Sequence, residues 1–532
     1  MLKMVLLRQF VTICAALLIA SPAAAETWYK AQTHHFTIYS DGKKRQLEDF
    51  AHEVERFDSL LRLLWNKEPL LNPNRLTIYL IKDAQAVDDL LGPRNTNVAG
   101  FYRSQAQGSF AVGNRKVSGN KAALSGKRVL FHEYAHHFMF QNFAVPAPAW
   151  FTEGFAEFVA TAEFKRNGEW TFGAPALHRV NEIEYFGEIP IRDLLTNRPA
   201  RNSEGSSFYG WSWALTHMLY SQEMGRGKLV TQYINRLNMG QDPLDAAEET
   251  FGDLDQFDRK LQTYVKRSIE WNKSPNALPY QDGVTVTELS EYDSQITGLT
   301  LQRLGGHNME EVREELRQAV AMPVATSEAW YQLAEAEFAL VHDDDADSAY
   351  DFTAAMAAVD QALALDASHM NANVLKGNIL LESFDHAEKP DEANWASSRE
   401  FFNRARATDP LHPWPQYSFA NSYIREGESN TEVTKALEIA FEQAPESSEL
   451  RFAVAIDRAR QGNFGEAISM LKILANSPHG GDGAQETIDR INEMMSGQTS
   501  RYVDDDDTGT DESDEGNVAA DEEEGDSGGD AT

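Results

Sequence analysis

The stretch His132 to Phe158, HEYAHHFMFQNFAVPAPAWFTEGFAEF, decides how the first half of the chain is read. It opens with two histidines four residues apart, His132 and His136, and Glu133 directly follows the first. On a helix, residues four apart share a face, so both imidazoles can converge on one cation. Glu133 projects beside them, where it can take a proton from water at the site. The flanks predict a helix over 127–142: Gly126 precedes it, and Val129, Phe131, Phe138 and Met139 supply apolar surface to bury. The pattern alone arises by chance in about three chains in a hundred of this length and composition. A helix carrying two surface histidines is the competing reading.

The second half of the stretch changes the balance. Trp150-Phe151-Thr152-Glu153-Gly154-Phe155-Ala156-Glu157-Phe158 follows the turn Pro146-Ala147-Pro148 and opens a helix predicted over 150–163. With both segments in view, residues 28–270 resemble a gluzincin, a peptidase MA-like zinc metallopeptidase. In that family an E-G-x-A segment on the following helix supplies the third zinc ligand. Carried over by position, that ligand is Glu153, with sixteen residues between it and His136. The resemblance implies a zincin-like α+β catalytic domain, with Zn2+ held by His132, His136 and Glu153. Two imidazoles and a carboxylate leave a fourth position open, the catalytic rather than the structural pattern. Glu133 is then the general base, later returning the proton to the leaving amine, and the substrate is a peptide or protein.

Further roles follow from the same resemblance. An oxyanion donor is expected from a Tyr or His downstream of the third ligand. Tyr209 in Ser206-Ser207-Phe208-Tyr209-Gly210-Trp211 is the candidate, with core packing as its alternative. Gly100-Phe101-Tyr102 reads as a strand ahead of the motif helix, and the resemblance implies that it holds extended peptide by backbone pairing. Glu157, one turn after Glu153, either orients a ligand histidine or is a surface carboxylate. His137 points about 100° away from His136 and reads as core or surface. His34, His35 and His217 have no partner pattern.

Working outward, residues 26–120 alternate strand-like and helical runs. His35 to Tyr39 and Leu76 to Ile81 read as strands, as do Val98 to Tyr102 and Ser109 to Val112. Phe50, Val54, Phe57, Leu60, Leu61 and Leu64 recur at helical spacing over 44–66. Further helices are expected over 207–221, 228–239 and 243–270. Residues 272–296 hold Pro275 and Pro279 without a strong period, and a domain boundary is placed there.

From 326 the texture becomes Ala-rich helical pairs. Pro410, Pro445 and Pro478 end successive units, with steps of 35 and 33 residues. The step from Ala367 to Pro410 is 43, near one unit plus an insertion around Asp385–Glu392. This segment resembles tetratricopeptide repeats, whose period is about 34, and implies an all-α solenoid in which neighbours bury each other's apolar faces. An unrelated helical bundle is the alternative.

The resulting organisation is a signal peptide over 1–25, a zincin-like metallopeptidase domain over 26–271, a linker and connecting helix over 272–325, tetratricopeptide-like repeats over 326–498 and an acidic disordered tail over 499–532. The leader has Lys3 and Arg8, an apolar run from Phe10 to Ala20 and Ala23-Ala24-Ala25 as a cleavage pattern. It implies a bacterial periplasmic or secreted protein with no stable membrane span once removed. The tail from 501 holds fourteen acids and one base, and it has too little apolar content to form a core.

Composition bounds the reading. The 532 residues are 42% hydrophobic and 24% charged, with a net charge of −34, so phosphate would be repelled and a nucleic-acid partner is not expected. Cys14, the single cysteine, lies in the leader, which leaves the mature chain without thiolate ligands or nucleophiles. Two functions follow. One is zinc-dependent peptide hydrolysis, with the repeats recruiting a partner or substrate. The other is a non-cleaving envelope scaffold that binds partner proteins through its repeats.

Overall fold

The computed structural model describes residues 27–68, 74–93, 98–116, 125–143, 145–196, 207–221, 223–267, 269, 271–280, 283–341, 350–385, 392–476 and 482–496. The expected leader and acidic tail lie outside these residues, as does most of the insertion near 385–392. Among the described residues no helix is long and apolar enough to cross a membrane.

The chain begins with β1 (Tyr29–Gln32), β2 (Phe36–Ser40), α1 (Lys44–Trp65), β3 (Leu76–Ile81), α2 (Ala84–Leu91), β4 (Gly100–Arg103) and β5 (Phe110–Asn114). The two motif helices follow, α3 (Gly126–Asn142) and α4 (Ala149–Ala160), and then the short strands β6 (Glu163–Phe164) and β7 (Trp170–Phe172). Next come α5 (Leu177–Phe186), α6 (Ile191–Thr196), α7 (Phe208–Tyr220), α8 (Lys228–Asn238), α9 (Pro243–Phe251) and α10 (Leu254–Tyr264). The expected single helix over 243–270 is thus divided. Gly252 takes a left-handed φ of 86° and ends α9, and the Asp253 side chain caps α10.

The stretch 272–325, expected as a linker with one connecting helix, supplies two strands and two helices instead. These are β8 (Asn272–Ser274), β9 (Thr285–Glu288), α11 (Glu291–Gly305) and α12 (Met309–Val320). Strand β9 pairs with β1 and closes one edge of a six-stranded sheet ordered β4-β5-β3-β2-β1-β9. The alternation in Thr285-Val286-Thr287-Glu288 is too short and polar to be read as a strand without its partner.

Strands β2, β3 and β5 run parallel, and β4 lies antiparallel at the far edge. The β3 run is apolar on both sides because both faces are covered. Leu76, Ile78 and Leu80 enter the main core with α1 and α3, while Tyr79 and Ile81 pack with Val87 of α2 and Leu301 of α11. The sheet therefore carries α3 on the same face as α1, next to the β4 edge.

Beyond α12 the protein is helical throughout the described residues. It runs through α13 (Ser327–Val341), α14 (Thr353–Leu365), α15 (Met370–Asp385), α16 (Glu392–Thr408), α17 (Pro413–Arg425), α18 (Thr431–Gln443), α19 (Ser448–Arg460), α20 (Phe464–Ala475) and α21 (Asp482–Met495). Each helix packs on its successor, giving a stacked array of helices. Its apolar core runs unbroken from Ile296 of α11 to Val454 of α19, so the array starts earlier than residue 326. Pro410 and Pro445 follow the ends of α16 and α18, as helix-terminating prolines should.

The array touches the sheet module through a buried polar junction. Ser109 Oγ donates to Glu446 Oε1 at 3.2 Å, and Arg451 Nη2 donates to the Phe140 carbonyl of α3 at 2.9 Å. Burial pushes the Glu446 carboxyl up to about 7, although Ser109 and Arg451 pull the other way. An acid whose folded pKa is raised binds more protons folded than unfolded, so stability falls as pH climbs from about 4.5 to about 7. We expect wild type to lose about 2–3 kcal/mol relative to Glu446→Gln between pH 4.5 and pH 8. Denaturant melts of the two proteins across that range check it; parallel pH profiles would contradict the assignment.

Candidate metal centre

Helix α3 starts where Ser125 caps it, its side chain accepting from the Arg128 amide at 3.3 Å. Its His132 and His136 sit one turn apart on the face toward α4. Helix α4 packs on α3, and α7 crosses α4 on another side at Gly154. A Cβ on Gly154 would stand 2.1 Å from the Ser212 carbonyl oxygen and 2.3 Å from Thr216 Oγ1. The glycine of the E-G-x-A segment is therefore a packing requirement of the α4–α7 crossing, and the crossing fixes the residue before it, Glu153.

Three donor atoms converge there. His132 Nε2 and His136 Nε2 lie 3.0 Å apart, and Glu153 Oε2 lies 3.3 Å from the first and 3.4 Å from the second. Bonds of about 2.0–2.1 Å meeting at a tetrahedral angle would space neighbouring donors about 3.3 Å apart. The donor set thus fits a single zinc ion in size and in chemistry. Glu153 has no solvent exposure at all, and both histidines are buried. A buried carboxylate is costly unless a charge or ion meets it.

The far side of His132 is held too. Its Nδ1 faces Glu157 Oε1 at 3.1 Å, and Glu157 also takes Arg179 Nη2 at 2.8 Å and His178 Nε2 at 3.2 Å. Burial would raise Glu157, yet Arg179, His178 and His132 outweigh it and hold its carboxyl well below the usual range. Burial would likewise lower His132, yet Glu153 and Glu157 hold the imidazole well above its ordinary value. Of the two readings of Glu157, the surface carboxylate is the one this geometry rules out, because Glu157 is buried beside the His132 ring. Carboxylates in that position typically contribute 10–100-fold to metal affinity. We expect Glu157→Gln to weaken zinc binding by about that factor, read by competition with a chelating dye; unchanged affinity would remove Glu157 from the site.

Sequence reasoning missed Arg179 and His178. They lie on α5, more than twenty residues beyond Glu153, and no spacing relates them to the motifs. Tyr209 opens α7, where the Arg179 guanidinium carbon lies 4.9 Å from its ring centre. It is thus linked to the centre through Arg179 and Glu157. Glu133 is buried at 3% exposure on α3. Its charge reaches the Tyr102 hydroxyl, whose pKa is raised by burial first, then by Glu446 and Glu133.

The other histidines behave as structural groups. His137 Nδ1 meets Tyr102 Oη at 2.9 Å, and burial, with Arg62 and His35 adding, pushes it down to about 3. His217 bridges the Tyr264 hydroxyl and the Gly173 carbonyl, at 2.7 Å each. His35, Glu55 and Asp58 also come together. The atoms that face one another are engaged: Glu55 takes the His35 amide and ring Nδ1, and Asp58 takes Arg62 Nε and the Tyr134 hydroxyl, each of the last two at 2.7 Å. This network ties α1 to α3 from the side away from the donors.

No protein-family model and no curated protein matches the chain. Among solved structures, a tetratricopeptide protein of Thermus thermophilus is similar over 38% of this chain and 98% of its own, at 16% identity and a TM-score of 0.30. MamA of Desulfovibrio magneticus RS-1 is similar over 40% of this chain and 99% of its own, at 16% identity and a TM-score of 0.26.

Proposed function

We propose that the protein is a zinc-dependent hydrolase of peptide bonds, of the gluzincin type, with His132, His136 and Glu153 as the zinc-holding residues. The observation that carries this reading is the convergence of two imidazole nitrogens and one carboxylate oxygen at 3.0, 3.3 and 3.4 Å. Zinc, when bound, supplies Lewis-acid polarisation of a carbonyl and lowers the pKa of water. Glu133, next to His132 in sequence and buried with it, accepts the proton of the attacking water on its carboxylate and hands it to the leaving amine. Glu157 holds the ring of His132 in register. Tyr209 is the candidate oxyanion donor, held by Arg179. The leader-like residues 1–25 alone carry the further proposal that the protein acts outside the cytoplasm.

A second reading, a non-cleaving scaffold for partner proteins, is favoured by the extent of the helical array, α11 to α21. A peptide-library digest separates the two. Cleavage by the purified zinc-loaded chain that stops with chelator and returns with zinc supports the hydrolase. No cleavage by a chain that holds its zinc supports the scaffold.

A further inference from the structure

The repeat array grips one short loop of the sheet module. Residues 104–109 join β4 to β5, the edge strand to its neighbour. The Ala106 amide donates to Glu449 Oε1 of α19 at 2.5 Å. Gln107 Nε2 donates to the Tyr331 hydroxyl at 2.6 Å and to Glu335 Oε1 at 2.9 Å, both on α13. Ala106 has no solvent exposure and belongs to the apolar core of the array, together with Tyr331 and Leu450, rather than to the core of its own module.

Five helices, α14 to α18, separate α13 from α19 in the chain. The two nevertheless bind adjacent loop residues, so the array curls around this loop. Arg103, which precedes the loop, and the end of helix α3 are held as well. Arg103 Nη1 donates to the Leu304 carbonyl of α11 at 2.9 Å, and Arg451 reaches the Phe140 carbonyl near the C-terminal end of α3.

We propose that the inner surface of the repeats is a docking site whose ligand is this chain's own β4–β5 loop, and that its grip holds edge strand β4 and the end of helix α3 in place. The site recognises a tight turn through carboxylate acceptors for a backbone amide and a carboxamide. The Ala106 methyl is fully buried in the apolar core of the array. A solenoid that already holds a segment of its own chain works as a brace, and any outside partner of that surface must displace the loop. The inference stands apart from the zinc reading, since it rests on none of the metal donors.

Hydrogen exchange of the full chain tests it, with Ala106→Arg, which puts a long cation at a fully buried position, and Glu449→Ala, which removes one bond. Amides over 100–112 and 138–142 should exchange at least about tenfold faster in both variants, the loss of roughly one buried hydrogen bond. The amides of β2, β3 and α14–α18 should keep their protection. A synthetic peptide of residues 102–111 should bind Ala106→Arg and not wild type. Should Ala106→Arg lose protection everywhere, Glu449→Ala decides alone. Unchanged exchange over 100–112 in Glu449→Ala overturns the proposal. So does a peptide that binds a folded Ala106→Arg no better than wild type.

Discussion

Glu133→Gln in the zinc-loaded chain should lower kcat for peptide hydrolysis by about 10²–10⁴-fold while leaving zinc content unchanged. The carboxamide fills the same volume at a buried position, so α3 and its histidines should stay in place. What the amide lacks is a basic oxygen that can take a proton. Glu133 is also absent from the three converging donors, which is why metal retention and activity should separate in this variant. Single-turnover cleavage of a reporter peptide, with metal analysis of the same sample, reads both quantities. Full activity in the variant would place the proton acceptor elsewhere. Loss of zinc together with activity would make Glu133 a residue that shapes the site.

Glu153→Ala should act in the opposite order, removing the metal first. In wild type, zinc at about a thousandfold excess over its dissociation constant should stabilise the fold by about 4 kcal/mol, because the unfolded chain offers no assembled donor set. Without Glu153 two imidazoles remain, and the zinc-dependent rise in melting temperature should vanish. The metal-free variant should remain folded. His132 keeps Glu157 as its counter-charge at 3.1 Å, so truncation leaves no isolated buried imidazolium. Thermal melts with and without zinc for both proteins check this. An undiminished zinc-dependent shift in Glu153→Ala would mean that the ion sits on other residues.

Much of this architecture can be read without coordinates, because the informative signals are local. The period of Phe50 to Leu64 predicts α1, the apolar run Leu76–Ile81 predicts the central strand, and Pro410 and Pro445 predict the ends of α16 and α18, while Pro478 lies outside the described residues. Of the three converging donors, His132 and His136 are legible for the same reason, since a four-residue step puts them on one face; Glu153 is implied only by the gluzincin resemblance of the Glu153-Gly154-Phe155-Ala156 segment. What escapes is set by contacts between distant segments. Strand β9 exists because β1 offers it an edge, more than 250 residues earlier in the chain. Arg179 and His178 matter only because α5 lies beside Glu157. The junction of Ser109 with Glu446 joins residues 337 positions apart, and no local pattern encodes it.

The most direct measurement is zinc content of the purified full chain by plasma mass spectrometry after loading and exhaustive dialysis, with His132→Ala/His136→Ala in parallel. Our account predicts about one zinc per wild-type chain, the capacity of one three-residue donor set, and none in the double variant. Wild type that keeps no zinc, or a double variant that keeps as much as wild type, would contradict it.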